Sequence, residues 1–199
     1  MDRLDTLPGT RLPLTAEART DAFASLSPIF AVSGGGLLLS QITEMTGLGG
    51  STIQNWVKRG WVSKPVNKRY GELHVARILL INLLRPAMQL EKIAALLGYI
   101  NGSVDDRTDD IIPETRLYSL LCSAILELSE SEPVTHESII TLTESRLEGY
   151  EGPVPDAAGR LKNALSIMLM NVAAAMLMQY ADGIFERTVN AGSGGPAGR

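Results

Sequence analysis

Thr52, Gln54, Asn55, Lys58 and Arg59 share one short stretch with Ile53, Trp56 and Val57, whose spacing is that of an amphipathic helix. On such a helix the three apolar residues occupy one face, and the five polar ones, with Ser51 just ahead, point away from the core. Arg and Lys neutralise phosphates, while Gln and Asn pair in bidentate fashion with adenine edges in a major groove that admits one helix. The chemistry offered is recognition of a nucleic acid. The plainer alternative for the same residues is a solvated polar face. Downstream, Trp61 and Val62 resume an apolar pattern, Pro65 interrupts it, and a basic turn-like patch runs through Asn67, Lys68, Arg69 and Tyr70 to Gly71. With Lys64, that patch reads as a short wing whose cations and Tyr70 hydroxyl would grip phosphates.

These residues need elements to hold them. Ser40 is expected to begin a short helix carrying Ile42 and Met45, and Gly47, Gly49 and Gly50 supply turn conformations that other residues resist. A helix-turn-helix follows. Ser51, with Gln54 three residues on, has the pattern of a capping box for the second helix, and Gly60 stands where a left-handed residue would close it.

Charge is distributed by halves. The chain carries a formal net charge of −4, which alone argues mildly against a nucleic-acid partner. Yet Ser51–Lys92 holds eight Lys and Arg against Glu72 and Glu91, a net +6, whereas Ser103–Asp156 holds thirteen acids against three Arg, a net −10. A basic half can approach a duplex while an acidic half points away, although the same polarity would also serve docking of one half on the other.

Thr52 with Ile53, Arg59-Gly60-Trp61, Lys68 with Tyr70, and the later Leu90, Ile93 and Leu97 lie where the winged helix-turn-helix of MerR-type regulators has matching residues, so Leu39–Leu97 resembles that family. Through IQNWVKRGWV, NKRY, ARILLINLL and the later NG and DDII, Leu39–Tyr118 more closely resembles a bacterial domain-of-unknown-function family, the one numbered eighteen thirty-six, which implies no activity. The MerR resemblance implies a DNA-binding domain that works as a dimer. The chain departs from that pattern at Gln54, where an Arg is usual, at Asn55 and Trp56, where aromatic residues are frequent, and at Lys68, which replaces a wing Arg and loses its bidentate fork. Members of that family that sense metals use cysteines near a dimer helix. The single Cys122, on the apolar side of a helix, does not fit that use.

Leu73, Ala76, Arg77, Leu80, Ile81 and Leu84 repeat at helical spacing up to Pro86, and a second helix holds Leu90, Ile93, Ala94 and Leu97 before a break at Gly98 and Asn101-Gly102. Asp105, Asp106, Asp109 and Asp110 lack the glycine and distal Glu of a calcium loop, and acids ahead of a helix starting near Pro113 and Glu114 explain them better. Leu117, Leu120, Leu121, Ala124, Ile125 and Leu128 form one amphipathic stripe, and Ile139, Leu142 and Leu147 a second. Asp156 is placed to cap a long helix reaching about Arg187, apolar on nearly every side from Leu161 to Met178 and rich in Met. It reads as a core or dimer helix. A membrane span is the competing account, weakened by Asn163, Ser166, Asn171 and Gln179.

Enzymatic constellations are poor. His74 and His136 lie far apart without a nucleophile arrangement, and Gly34, Gly35 and Gly36 lack the Lys-Ser/Thr ending of a phosphate loop. No cofactor or metal is implied. One cysteine excludes an intrachain disulfide, and no signal peptide is visible.

The expectation is an all-α chain: a flexible N-terminal segment (1–28), a MerR-like winged helix-turn-helix with a small β wing (29–100), an acidic linker (101–113), a helical dimerisation or sensor domain (114–188) and a disordered tail (189–199). The expected role is a cytoplasmic transcriptional regulator, dimeric on double-stranded DNA, contacting it through Ser51, Thr52, Gln54, Asn55, Lys58, Arg59, Lys64, Lys68, Arg69 and Tyr70, with a small-molecule or protein effector at the C-terminal domain and no membrane. The alternative is an interaction adaptor whose basic domain and Met-rich helix bind protein partners.

Overall fold

The computed structural model describes residues 4–130 and 134–192, with side chains followed to Val189. Among them the protein is helical and has no β-strand, as expected for an all-α chain. The helices are α1 (Ala16–Thr20), α2 (Ser27–Val32, preceded by a 3₁₀ turn), α3 (Leu39–Thr46), α4 (Gly50–Lys58), α5 (Glu72–Leu84), α6 (Leu90–Asn101), α7 (Glu114–Glu130), α8 (His136–Arg146) and α9 (Ala157–Gly192).

α5 is the hub. Its run Val75, Ala76, Ile78, Leu79, Leu80 and Ile81 is buried almost all round rather than along the single stripe the sequence suggests, because α3, α6, α7 and α9 all pack on it. The first half of α9 fills the other side of the core, with Leu161, Ala164, Leu165, Met168 and Leu169 fully buried. Burial of a Leu- or Met-sized side chain contributes about 1.5–3 kcal/mol, so these two helices anchor the fold. α9 also has the length and mean hydropathy, 1.5 over its most apolar window, of a membrane span.

Two expected boundaries are drawn differently by the packing. Residues 4–28 do not hang free: Leu7, Ala18, Ala22, Phe23 and Leu26 are buried, the Tyr118 hydroxyl donates to the Pro8 carbonyl at 2.6 Å, and the Arg11 amide donates to the Met45 carbonyl at 2.8 Å. Nor does 101–113 separate two cores, since one apolar cluster runs from Leu7 to Ala173. α6 continues through Gly98, and buried Asn101 clamps the far end of the acidic segment, its Nδ2 donating to the Ile112 carbonyl at 2.7 Å and its Oδ1 accepting from the Ile112 amide at 3.3 Å. Helix α9 passes Arg187 and includes residues 189–192 of the expected tail; 193–199 lie outside the described residues. Beyond Met176, α9 exposes Leu177, Met178, Tyr180, Ile184, Phe185 and Val189.

Candidate nucleic-acid interface

α3 ends at Gly47, whose φ of +73° reverses the chain, and after the two residues Leu48 and Gly49 α4 begins. The close approach of the two helices is set at Gly50, where a Cβ would stand 3.3 Å from the Leu39 side chain. α4 starts earlier than the sequence suggests. Its N-cap is Gly49, with no side-chain hydrogen bond, so Ser51 is its second residue and the expected Ser51–Gln54 capping box does not form. The C-terminal expectation holds: Gly60 has φ +71° and follows the cap residue Arg59.

The faces of α4 separate as expected. Ile53 and Trp56 are buried and Val57 half-buried, while Ser51, Gln54, Asn55, Lys58 and Arg59 are exposed and Thr52 is intermediate. Arg59 is not free: its guanidinium lies 3.1 Å from Glu91 on α6 and 4.9 Å above the Trp61 ring. At this exposure the ion pair is worth only about 0–1 kcal/mol, so a phosphate could replace Glu91. Lys58, Lys64 and Lys68 are exposed and have no carboxylate partner among the described residues.

After Trp61 the chain makes a two-residue reversal. Val66 and Arg69 exchange backbone hydrogen bonds of 3.0 and 2.9 Å around Asn67 (φ +50°) and Lys68 (φ +62°), the paired positive angles of a tight hairpin turn. Its base is stitched to the segment before α3 by mutual Leu37–Tyr70 bonds of 2.9 and 2.8 Å. These are isolated bridges, not strands, so the expected β wing is reduced to a single reversal presenting Lys68. Arg69 braces the glycine bend, donating to the Ser33 and Gly36 carbonyls at 2.9 Å each. Tyr70 departs from its expected role: at 4% exposure it is a core residue, its ring edge-on to His74, and it cannot grip a backbone. His74 closes the base of the reversal. Its Nδ1 accepts from the Gly71 amide at 3.1 Å, which leaves Nε2 to carry the proton given to the Lys64 carbonyl, also at 3.1 Å.

Beneath this surface lies a pair that the sequence did not announce. Arg77, buried on α5, donates through Nε to the Trp61 carbonyl at 2.8 Å and through its terminal nitrogen to Glu114, itself 1% exposed at the start of α7. Burial pushes the Glu114 carboxyl up against the pull of Arg77, and burial likewise raises Asp110, whose Oδ2 accepts from Arg107 at 3.3 Å. One oxygen of each acid, Glu114 Oε2 and Asp110 Oδ1, is buried without a hydrogen-bond partner. Arg77 thus ties the exit of α4 to the helical half of the chain. Cys122 is fully buried, which pushes its thiol well up. Among the described residues no three His, Cys, Asp or Glu converge to hold a metal.

Comparison with known proteins gives a family match without an activity. Residues 36–121, from the glycine bend through α3–α6 into α7, match the family described as Domain of unknown function (DUF1836). The chain is also similar to the uncharacterized protein YkrK of Bacillus subtilis (strain 168), 28% identical over 114 residues, which are 55% of this chain and 46% of that protein. The chain therefore spans less than half the length of that relative. No solved structure matches. The matched region includes both the exposed face of α4 and the Arg77–Glu114 pair.

Proposed function

We propose that residues 29–100 form a MerR-like winged helix-turn-helix that reads double-stranded DNA, and that the protein is a cytoplasmic transcriptional regulator acting as a homodimer. α3 is the supporting helix, α4 the recognition helix and the Asn67–Lys68 reversal a minimal wing. The observation that carries this reading is the face of α4: Gln54, Asn55 and Lys58 exposed together opposite buried Ile53 and Trp56, on a helix whose two ends are fixed by glycines. Gln54 and Asn55 supply amide pairs for base edges, Lys58 and Arg59 reach bases and phosphates, and Lys64, Lys68 and Arg69 hold the flanking backbone. The exposed apolar end of α9 is the pairing surface between protomers, giving two recognition helices for a palindromic site.

Salt dependence tests this. If Arg59, Lys64, Lys68 and Arg69 each meet a phosphate, a dimer neutralises about eight, and log Kd against log salt should have a slope of magnitude about 7. A shallow slope with weak binding would count against duplex reading. One observation favours the adaptor instead: the same exposed end of α9 is a docking face for a different protein as readily as for a second copy. An adaptor would bind no duplex at low salt.

A further inference from the structure

α6, α8 and α9 enclose an open groove of about 720 Å³, a size suited to a small organic ligand. Leu96 and Tyr99 of α6, Ile140 of α8 and Ile167 of α9 form its apolar walls. No carboxylate lines it, whereas Lys92 and Lys162 do. Lys162 is held by Glu144 at 2.5 Å, and Lys92, exposed at the groove, has no carboxylate partner among the described residues. Tyr99 is held by Arg160, which lies 5.3 Å from its ring and donates to its carbonyl at 3.1 Å.

The groove also contains an orphan. Among the described residues four Ser and Thr side chains are buried, and three of them bond back to their own helix: Thr46 to Ile42, Thr143 to Ile139 and Ser129 to Leu126, at 2.6–2.8 Å. Ser166, at 5% exposure, does not. Its Oγ is buried without a hydrogen-bond partner and its residue lines the groove. A buried hydroxyl left unsatisfied is disfavoured by about 1–3 kcal/mol, which a ligand atom would relieve once the Ser166 side chain turns its hydroxyl from its buried position into the groove.

We propose that this groove binds a small amphipathic carboxylate, its ring or short chain between Leu96, Tyr99 and Ile167 and its carboxylate at Lys92, with Ser166 turning its hydroxyl to the bound molecule. The site would serve as the effector site of the regulator proposed above, but its test reads ligand binding alone and does not depend on duplex binding.

Calorimetric titration of the full chain with 4-phenylbutyrate, alongside its neutral amide, provides that test. Ala95 and Lys92 are both exposed and line the groove, so Ala95→Trp obstructs it and Lys92→Gln removes its charge with little demand on the core. Expected are saturable binding of one acid per protomer, about tenfold weakening for the amide and for Lys92→Gln, and loss of binding in Ala95→Trp, with circular dichroism unchanged in both variants. Absence of saturation in the folded protein would overturn the proposal. So would equal binding of acid and amide, or undiminished binding to Ala95→Trp, which would place the ligand on other apolar surface such as the end of α9.

Discussion

Replacing Glu114 by Gln should destabilise this protein more than any surface substitution, because it leaves the buried Arg77 guanidinium without its hydrogen-bonded countercharge. The Arg77 side chain is 5% exposed and that of Glu114 1%. Removal of one partner from such a pair typically costs about 3–5 kcal/mol, most of it the penalty of the stranded charge. With a urea dependence of about 2–3 kcal/mol per molar for a chain of this size, the unfolding midpoint should fall by roughly 1–2 M. The reverse variant, Arg77→Met, leaves the Glu114 carboxylate only the more distant Arg107, 3.9 Å from its Oε2, and frees the Trp61 carbonyl, and should also be clearly destabilising. Arg77→Met/Glu114→Leu removes both charges and should cost clearly less than the two single changes together, as coupled neighbours do. The assay is urea unfolding followed by fluorescence of the two tryptophans, Trp56 buried and Trp61 half-buried. A loss below about 1 kcal/mol for Glu114→Gln, or strict additivity in the double variant, would refute the argument that this pair ties α5 to α7.

Further outcomes follow from smaller features. Gly60→Ala should lower stability by about 1–2 kcal/mol through its left-handed backbone alone, because a Cβ there meets no atom within 4 Å; Gly60→Asn should lose less, and equal stabilities by thermal melting would count against the cap. Asp110→Asn should stabilise the protein at neutral pH. The Asp110 carboxyl is raised by burial, so the folded state holds its proton more tightly and loses stability as pH rises from the ordinary carboxylate range through the raised value. The gain should therefore shrink as melting is measured at falling pH, and a gain that grows on acidification would reverse the sign. Titration with duplex at several salt concentrations should give the slope of magnitude about 7 stated above, and Lys68→Ala should reduce it by about two per dimer.

Much of this was legible in local pattern. Ile53 and Trp56, three apart between polar residues, define both the buried and the open face of α4, and Gly60 marks its end, because those signals act within one or two turns. The start of α4 is not legible in the same way, because Ser51 and Gln54 satisfy a capping pattern that Gly49 pre-empts two residues earlier. Tyr70 follows three polar residues and so reads as surface, yet its place is set by pairing with Leu37, 33 positions back, which turns its ring inward beside His74. Arg77 sits inside an apolar run, and its partner Glu114 lies 37 residues away in an acidic stretch that explains itself as a helix start. The N-terminal segment reads as loose because its helices, Ala16–Thr20 and Ser27–Val32, are too short to leave a clear periodic signal and Leu7 stands alone; their burial depends on the helices they pack against. Contacts that depend on tertiary closure leave no local trace, whereas helix faces and caps do.

The central claim is sequence-specific duplex reading by α4, and selection of bound duplexes from a random DNA library addresses it most directly. The purified protein should enrich a palindromic site, and the Lys58→Ala/Arg59→Ala variant, altered at two exposed residues, should fold normally and lose that enrichment. No enrichment at low salt from folded protein, or an identical site recovered by the variant, would contradict the account.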